Sequence, residues 1–198
     1  MPAVWLAFFA TPTQLARLST PPNFLLMAAF MLHYFYRDLI FPWRIRGGKP
    51  TPFIVWLLAF VFCVYNGYMQ TAYLLNEAPT DRAITPRLAA GLTLWLAGWA
   101  VNLRSDNALI SLRKPSDKKG AYKIPRGGAI EYVSAANYAG EILEWAGWAL
   151  ASWSLPAAAF AVFTFCNLAP RGWRHHQWYR QKFPRYPRGR RAVIPFLW

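Results

Sequence analysis

Acidic residues are scarce in this sequence. Eight Asp and Glu stand against 22 Lys and Arg, a formal charge of +14 over 198 residues. There are only two cysteines, Cys63 and Cys166, both inside apolar runs. Neither has metal-ligand spacing, so both read as buried thiols and say nothing of redox compartment. No internal repeat or low-complexity stretch is present. Residues 1–10 are apolar but lack a basic leading region, so no cleavable signal peptide is expected. A glycine-rich fingerprint between a strand and a helix is also missing, which excludes a Rossmann-type dinucleotide site.

Apolar surface, by contrast, is abundant. Hydrophobic residues make up 56% and aromatics 18%, with eleven Trp. One soluble domain of this length could not hide that much apolar surface, so a lipid-facing exterior is its simplest destination. Mean hydropathy is only +0.15 because the basic residues pull it down. A basic, aromatic chain invites a nucleic-acid reading, but the long apolar runs leave no soluble scaffold to display such a face. Nucleic acid is excluded as a partner, and membrane lipid is expected.

Five segments are long enough, or nearly so, to cross a bilayer as helices: 23–43, 52–75, 88–110, 132–153 and 155–170. Pro21-Pro22, Pro50, Pro86 and Pro156 punctuate their starts. Residues 1–14 read as the end of a further helix. Charge supports the series. Seventeen of the 22 basic residues fall in 44–51, 111–131 and 171–198, whereas 76–87 holds only Arg82 and Arg87. Five spans in series put the three basic segments on one side, and the positive-inside rule makes that side cytoplasmic. The fold class is therefore all-α, a polytopic membrane helix bundle in one domain, 1–198. The Ala, Arg and Trp content suits a bacterial inner membrane; in a eukaryote the endoplasmic reticulum would take its place.

Ionisable groups at membrane depth are costly and point to function. In the fourth span Ser134, Asn137, Glu141 and Glu144 recur at offsets of three, four and three, one helical face. Interhelical hydrogen bonding is the plainer reading, but two carboxylates exceed what packing needs. Asn102, Asp106 and Arg113 line another face toward the cytoplasm. The first span holds His33, Tyr34, Arg37 and Asp38, where His33 with Arg37 and Tyr34 with Asp38 could simply be local pairs. Asn66, Gln70 and Tyr73 share a face of the second span, lining the same cavity or packing. The stretch 122–128 puts Lys123 and Arg126 beside Gly127-Gly128, where backbone amides could approach a phosphate. His175, His176 and Tyr179 share one turn, but adjacent histidines diverge and no third ligand is evident, so no metal is assigned.

These pieces together resemble the steroid 5α-reductase family. The matching stretches are LHYFYR at 32–37, RGGKP at 46–50, Asn66-Gly67, NLRSDNALISLRKP at 102–115, YKIPRGGAIEYVSAANYAGEILEWAGWALASWS at 122–154, HHQWYRQKFPRYP at 175–187 and IPFLW at 194–198. The resemblance implies a seven-span helical fold with a cytoplasm-facing NADPH pocket and a lipid-accessible steroid pocket. This chain would supply about five full spans and a partial N-terminal helix. It carries cofactor contacts onto Asn102, Asp106, Arg113, Tyr122, Asn137, Glu141, His175 and Tyr179, and more loosely onto Lys49 and Lys123. Lys49 stands where relatives often have Arg, keeping charge but losing bidentate geometry. The family also implies a catalytic role for Tyr34, working with a Glu in a Gln-Glu-Leu-Pro stretch. Met1-Pro2 falls on that Leu-Pro, so the Glu would precede Met1.

The expected activity is NADPH-dependent reduction of the 4,5 double bond of a 3-oxo-4-ene steroid, or of a similar lipophilic enone, by a monomer. Two alternatives stand beside it. One is an S-adenosylmethionine-dependent methyltransferase of the related fold; the other is a non-catalytic sterol- or lipid-binding membrane protein.

Overall fold

The computed structural model describes residues 10–45, 50–112 and 122–197; Lys49 and Arg113 lie outside them. The described chain is helical, with one isolated backbone bridge between Val133 and Arg191. Helix α1 spans Pro12–Leu18, and α2 spans Pro21–Tyr34. A π-helical stretch, Phe35–Ile40, leads into the short α3, Phe41–Arg44. The long helices α4 (Phe53–Asn76) and α5 (Pro86–Ser111) follow. A 3₁₀ turn at Gly128–Glu131 precedes α6 (Ala136–Ser152) and α7 (Leu155–Lys182).

Each boundary has a local cause. Thr85 caps α5 through Leu88 N–H, and Ser154 caps α7 through Ala157 N–H. The π-helical stretch sits just before Pro42, which cannot donate a backbone hydrogen bond and crowds the carbonyl four residues back. Widening the turn there relieves that conflict and resets the face carried by Arg37.

Helices α5 and α6 make the closest pair in the bundle. A Cβ added at Gly91 would come within 2.6 Å of the Ala151 Cα, and one at Gly98 within 2.6 Å of the Gly140 carbonyl oxygen. Gly140 and Gly147 face the other way with the same intimacy. Four glycines thus let two backbones touch, as small residues do where helices pack in lipid. Around this seam lie the buried Phe30, Leu74, Trp95, Trp145 and Trp148.

Two helical segments, Pro21–Arg44 and Phe53–Asn76, are long and apolar enough to cross a membrane. On the second, Phe53, Ile54, Trp56 and Leu58 all point outward, an apolar exterior suited to lipid. The other three predicted spans are helical without meeting that test. Helix α6 has only 17 residues, and Arg87, Arg104 and Asp106 dilute α5. Several sequence readings need correction. Residues 132–135 are not helical, so Ser134 leaves the stripe that Asn137, Glu141 and Glu144 share. Helix α7 does not stop at 170 but runs through Pro170 to Lys182. Of the two thiols expected to be buried, Cys63 is partly so and Cys166 is exposed.

Candidate functional site

The site begins with what α2 and its π-helical extension send into the bundle. His33 Nδ1 meets Glu144 Oε1 at 2.6 Å, with both side chains buried. One turn on, Arg37 donates to Asp106 Oδ2 at 2.7 Å and reaches Glu141 Oε2 at 3.5 Å. Asn137 Nδ2 donates to the other Asp106 oxygen at 3.1 Å. The local i,i+4 pairs that the sequence allowed for His33 and Arg37 thus give way to cross-helix pairs. A charge buried without a partner is far more costly than a solvated one, and each group here finds its partner on another helix.

Beyond Asp106 the bundle opens into a cavity of about 740 Å³. Asp106, Tyr122, Lys123, Asn137, His175 and Tyr179, six of the predicted residues, line it together. Asn102 and Glu141 are not on its wall. Asn102 is buried at the α5–α6 seam, and Glu141 joins through Arg37. Tyr34 is half-buried beside His33 and accepts a hydrogen bond from Asn66 Nδ2 at 3.1 Å.

Sequence reasoning missed Arg171, Arg174, Trp178 and Tyr138, all on the cavity wall. A signal existed. Arg171, Arg174, His175, Trp178 and Tyr179 recur at helical spacing on one face of α7. Reading Pro170 as a helix end cut that face away from its helix. Tyr122 packs edge-on against Trp178 at 4.8 Å, so the cavity mouth is aromatic as well as basic.

The two adjacent histidines diverge. His175 lines the cavity, and burial, then Arg171, holds its imidazole below the ordinary value. His176 turns inward, where the Tyr186 hydroxyl donates to Ser134 Oγ at 2.8 Å and Ser134 meets His176 Nδ1 at 2.6 Å. Gly127 and Gly128 also do something other than expected. Gly127 takes φ 96°, a conformation that favours glycine, and its N–H donates to Glu131 at 2.7 Å. That amide is therefore engaged within the protein, not offered to a phosphate. The same contact, with Arg190 donating to Glu131 at 2.9 Å, holds the Glu131 carboxyl below the usual range. Together with the Val133–Arg191 bridge, it fastens the cavity-lining loop to the C-terminal tail.

The fold and site define an all-helical protein with an apolar exterior, a buried polar core and a basic, aromatic cavity at one end. Its relatives are specific. The 3-oxo-5-alpha-steroid 4-dehydrogenase family profile matches residues 49–198. The chain is 54% identical to 3-oxo-5-alpha-steroid 4-dehydrogenase 1 of Bos taurus, covering 91% of this chain and 70% of the relative. Identity is 52% to the human type 1 protein, over 91% of this chain and 70% of that one. It is 44% to 3-oxo-5-alpha-steroid 4-dehydrogenase 2 of Rattus norvegicus, over 89% and 69%. The chain belongs to the 3-oxo-5-alpha-steroid 4-dehydrogenase family, and is an oxidoreductase acting on CH–CH groups. The match favours neither the methyltransferase nor the non-catalytic alternative.

Proposed function

We propose that this chain reduces the 4,5 double bond of 3-oxo-4-ene steroids, or of a similar lipophilic enone, with NADPH as reductant. It would do so as an integral membrane protein of five full spans, its basic segments and C-terminus cytoplasmic. The observation that carries this reading is the convergence of Asp106, Lys123, Asn137, His175 and Tyr179 with Arg171 and Arg174 on one cavity.

The cavity suits a phosphorylated dinucleotide in size and chemistry. Arg171, Arg174 and Lys123 offer charge to phosphates, and Trp178, Tyr179 and Tyr122 offer faces to rings. Asn137, already oriented by Asp106, would hold a polar end of the cofactor. When bound, NADPH supplies a hydride to the β-carbon of the enone. The double-bond electrons then move toward the carbonyl oxygen, where a positioned donor is worth most. Tyr34 is that donor in this proposal, and water delivers the proton to the α-carbon. Arg37, clamped by Asp106 and Glu141, holds the helix that carries Tyr34 against the helices that carry the cofactor residues.

The experiment is direct. Purified protein should bind NADPH and oxidise it only when a 3-oxo-4-ene steroid is added, with saturated product formed in equal amount. Steroid-independent oxidation, or none at all, would refute the assignment.

A further inference from the structure

A chain of hydrogen bonds crosses the bundle behind Tyr34, and every link has a fixed direction. It starts at Trp148, whose indole nitrogen can only donate. Trp148 Nε1 donates to Gln70 Oε1 at 3.1 Å. This sets the Gln70 amide, whose Nε2 faces the Pro156 carbonyl at 3.0 Å and Asn66 Oδ1 at 3.2 Å. A carbonyl can only accept, so both ends of the Gln70 amide are determined. Asn66 is fixed in turn: its oxygen is taken by Gln70, and its Nδ2 donates to the Tyr34 hydroxyl oxygen at 3.1 Å. Relative exposure is 0% for Trp148, 2% for Gln70 and 5% for Asn66, which leaves bulk water little chance to compete.

We propose that Asn66 is a positioning residue, held by Gln70 and Trp148, that fixes the direction of the Tyr34 proton. A phenol has one proton and rotates it between two in-plane positions. Asn66 fills one side of the oxygen with its own N–H, so the Tyr34 proton must leave on the other side. Among the described residues no acceptor takes it. It remains available to an incoming carbonyl, the role given to Tyr34 in the proposed reaction, on which this inference rests. A donor into the phenol oxygen also strengthens the bond the phenol donates, because successive hydrogen bonds polarise one another.

Asn66→Asp tests the direction. Burial favours the neutral acid, so the variant is assayed at alkaline pH. There the ionised carboxylate keeps the shape but accepts where Asn66 donated, and so draws the Tyr34 proton away from substrate. With progesterone as the 3-oxo-4-ene probe, kcat should fall by about 100-fold, the loss expected for one oxyanion donor. NADPH affinity should stay within about twofold, as for independent sites. The loss should shrink as pH falls, because a protonated carboxyl can donate again. On a Tyr34→Phe background Asn66→Asp should cost nothing further. An equal loss on that background, or a pH-independent one, would make Asn66 merely structural.

Asn66→Leu covers the case in which a buried acid prevents folding, through the same cycle with Tyr34→Phe. An infrared measurement needs no turnover. The Tyr34 C–O stretch, isolated by subtracting the Tyr34→Phe spectrum of ¹³C-tyrosine protein, should move in Asn66→Leu. An unmoved band overturns the proposal. A moved band in a protein that does not reduce progesterone upholds the positioning and refutes the proposed function instead.

Discussion

Arg37 and Asp106 lie 69 residues apart in sequence and 2.7 Å apart in space, and their ion pair joins the π-helical extension of α2 to α5. Asp106 spends its second oxygen on Asn137, so one carboxylate orients both a cation and an amide. Three helices meet at this one side chain.

Asp106→Leu should therefore do double damage. It strands a partly buried guanidinium and frees Asn137, at a cost of about 2 kcal/mol given that Glu141 remains as a second partner. Adding Arg37→Met should recover part of that loss, because no orphaned charge remains. Unfolding in mixed detergent micelles measures both; a double variant less stable than Asp106→Leu alone would contradict the pairing.

Cofactor affinity should follow the cavity wall. Arg171→Ala and Asn137→Ala should each weaken NADPH binding by about tenfold or more, the scale of a lost charge-assisted hydrogen bond. Arg171→Ala should cost NADPH more than NADH if this guanidinium meets the extra phosphate. Fluorescence titration with both nucleotides decides it, and unchanged affinities would remove the cavity from cofactor binding.

Gly98→Ala probes the α5–α6 seam. Its new methyl would meet the Gly140 carbonyl and the Glu144 backbone, neither of which can turn aside as a side chain could. The helices must separate, costing about 2 kcal/mol as in other overpacked contacts. Stability and NADPH affinity should fall together, since Asn102 and Asp106 ride on the displaced helix. A thermal melt with and without NADPH reads both effects.

Mild acid should loosen the C-terminal latch. Burial, then Arg180 and Arg191, lowers the His176 imidazole below the ordinary value of about 6.5. The folded state thus resists a proton that the unfolded state accepts. Above that ordinary value neither state binds it, and His176 leaves stability unchanged. As pH falls through it, the unfolded chain gains protons first and stability declines. Melting temperature should drop from pH 7 to pH 5, and His176→Gln should flatten that part of the curve. An unflattened curve would exclude His176 as the source.

Orientation follows from charge. A tag after Trp198 should be cytoplasmic and one inserted at Pro79 should lie on the opposite face. Accessibility labelling that finds both on one side would overturn the five-span arrangement.

The sequence by itself determined the long helices and the family to which the chain belongs. Proline punctuation marked the starts of α5 and α7, and apolar length marked α2 and α4, because these are local properties of a chain. Polar residues repeated at helical spacing marked Asn137 with Glu141, and Asn102 with Asp106, since such groups in an apolar helix demand partners. The partners themselves were not legible. Which carboxylate would hold Arg37, and that Asn66 rather than Asp38 would meet Tyr34, depends on helix rotation and crossing. Those are set by the glycine seam of α5 and α6 and by the π-helical turn before Pro42. The α7 face was lost for a related reason. A proline removes one backbone hydrogen bond and so disfavours a helix interior, yet α7 continues through Pro170 to Lys182. Helical spacing could put Arg171 and Tyr179 on one face, and only the tertiary fold could decide that this face lines the cavity.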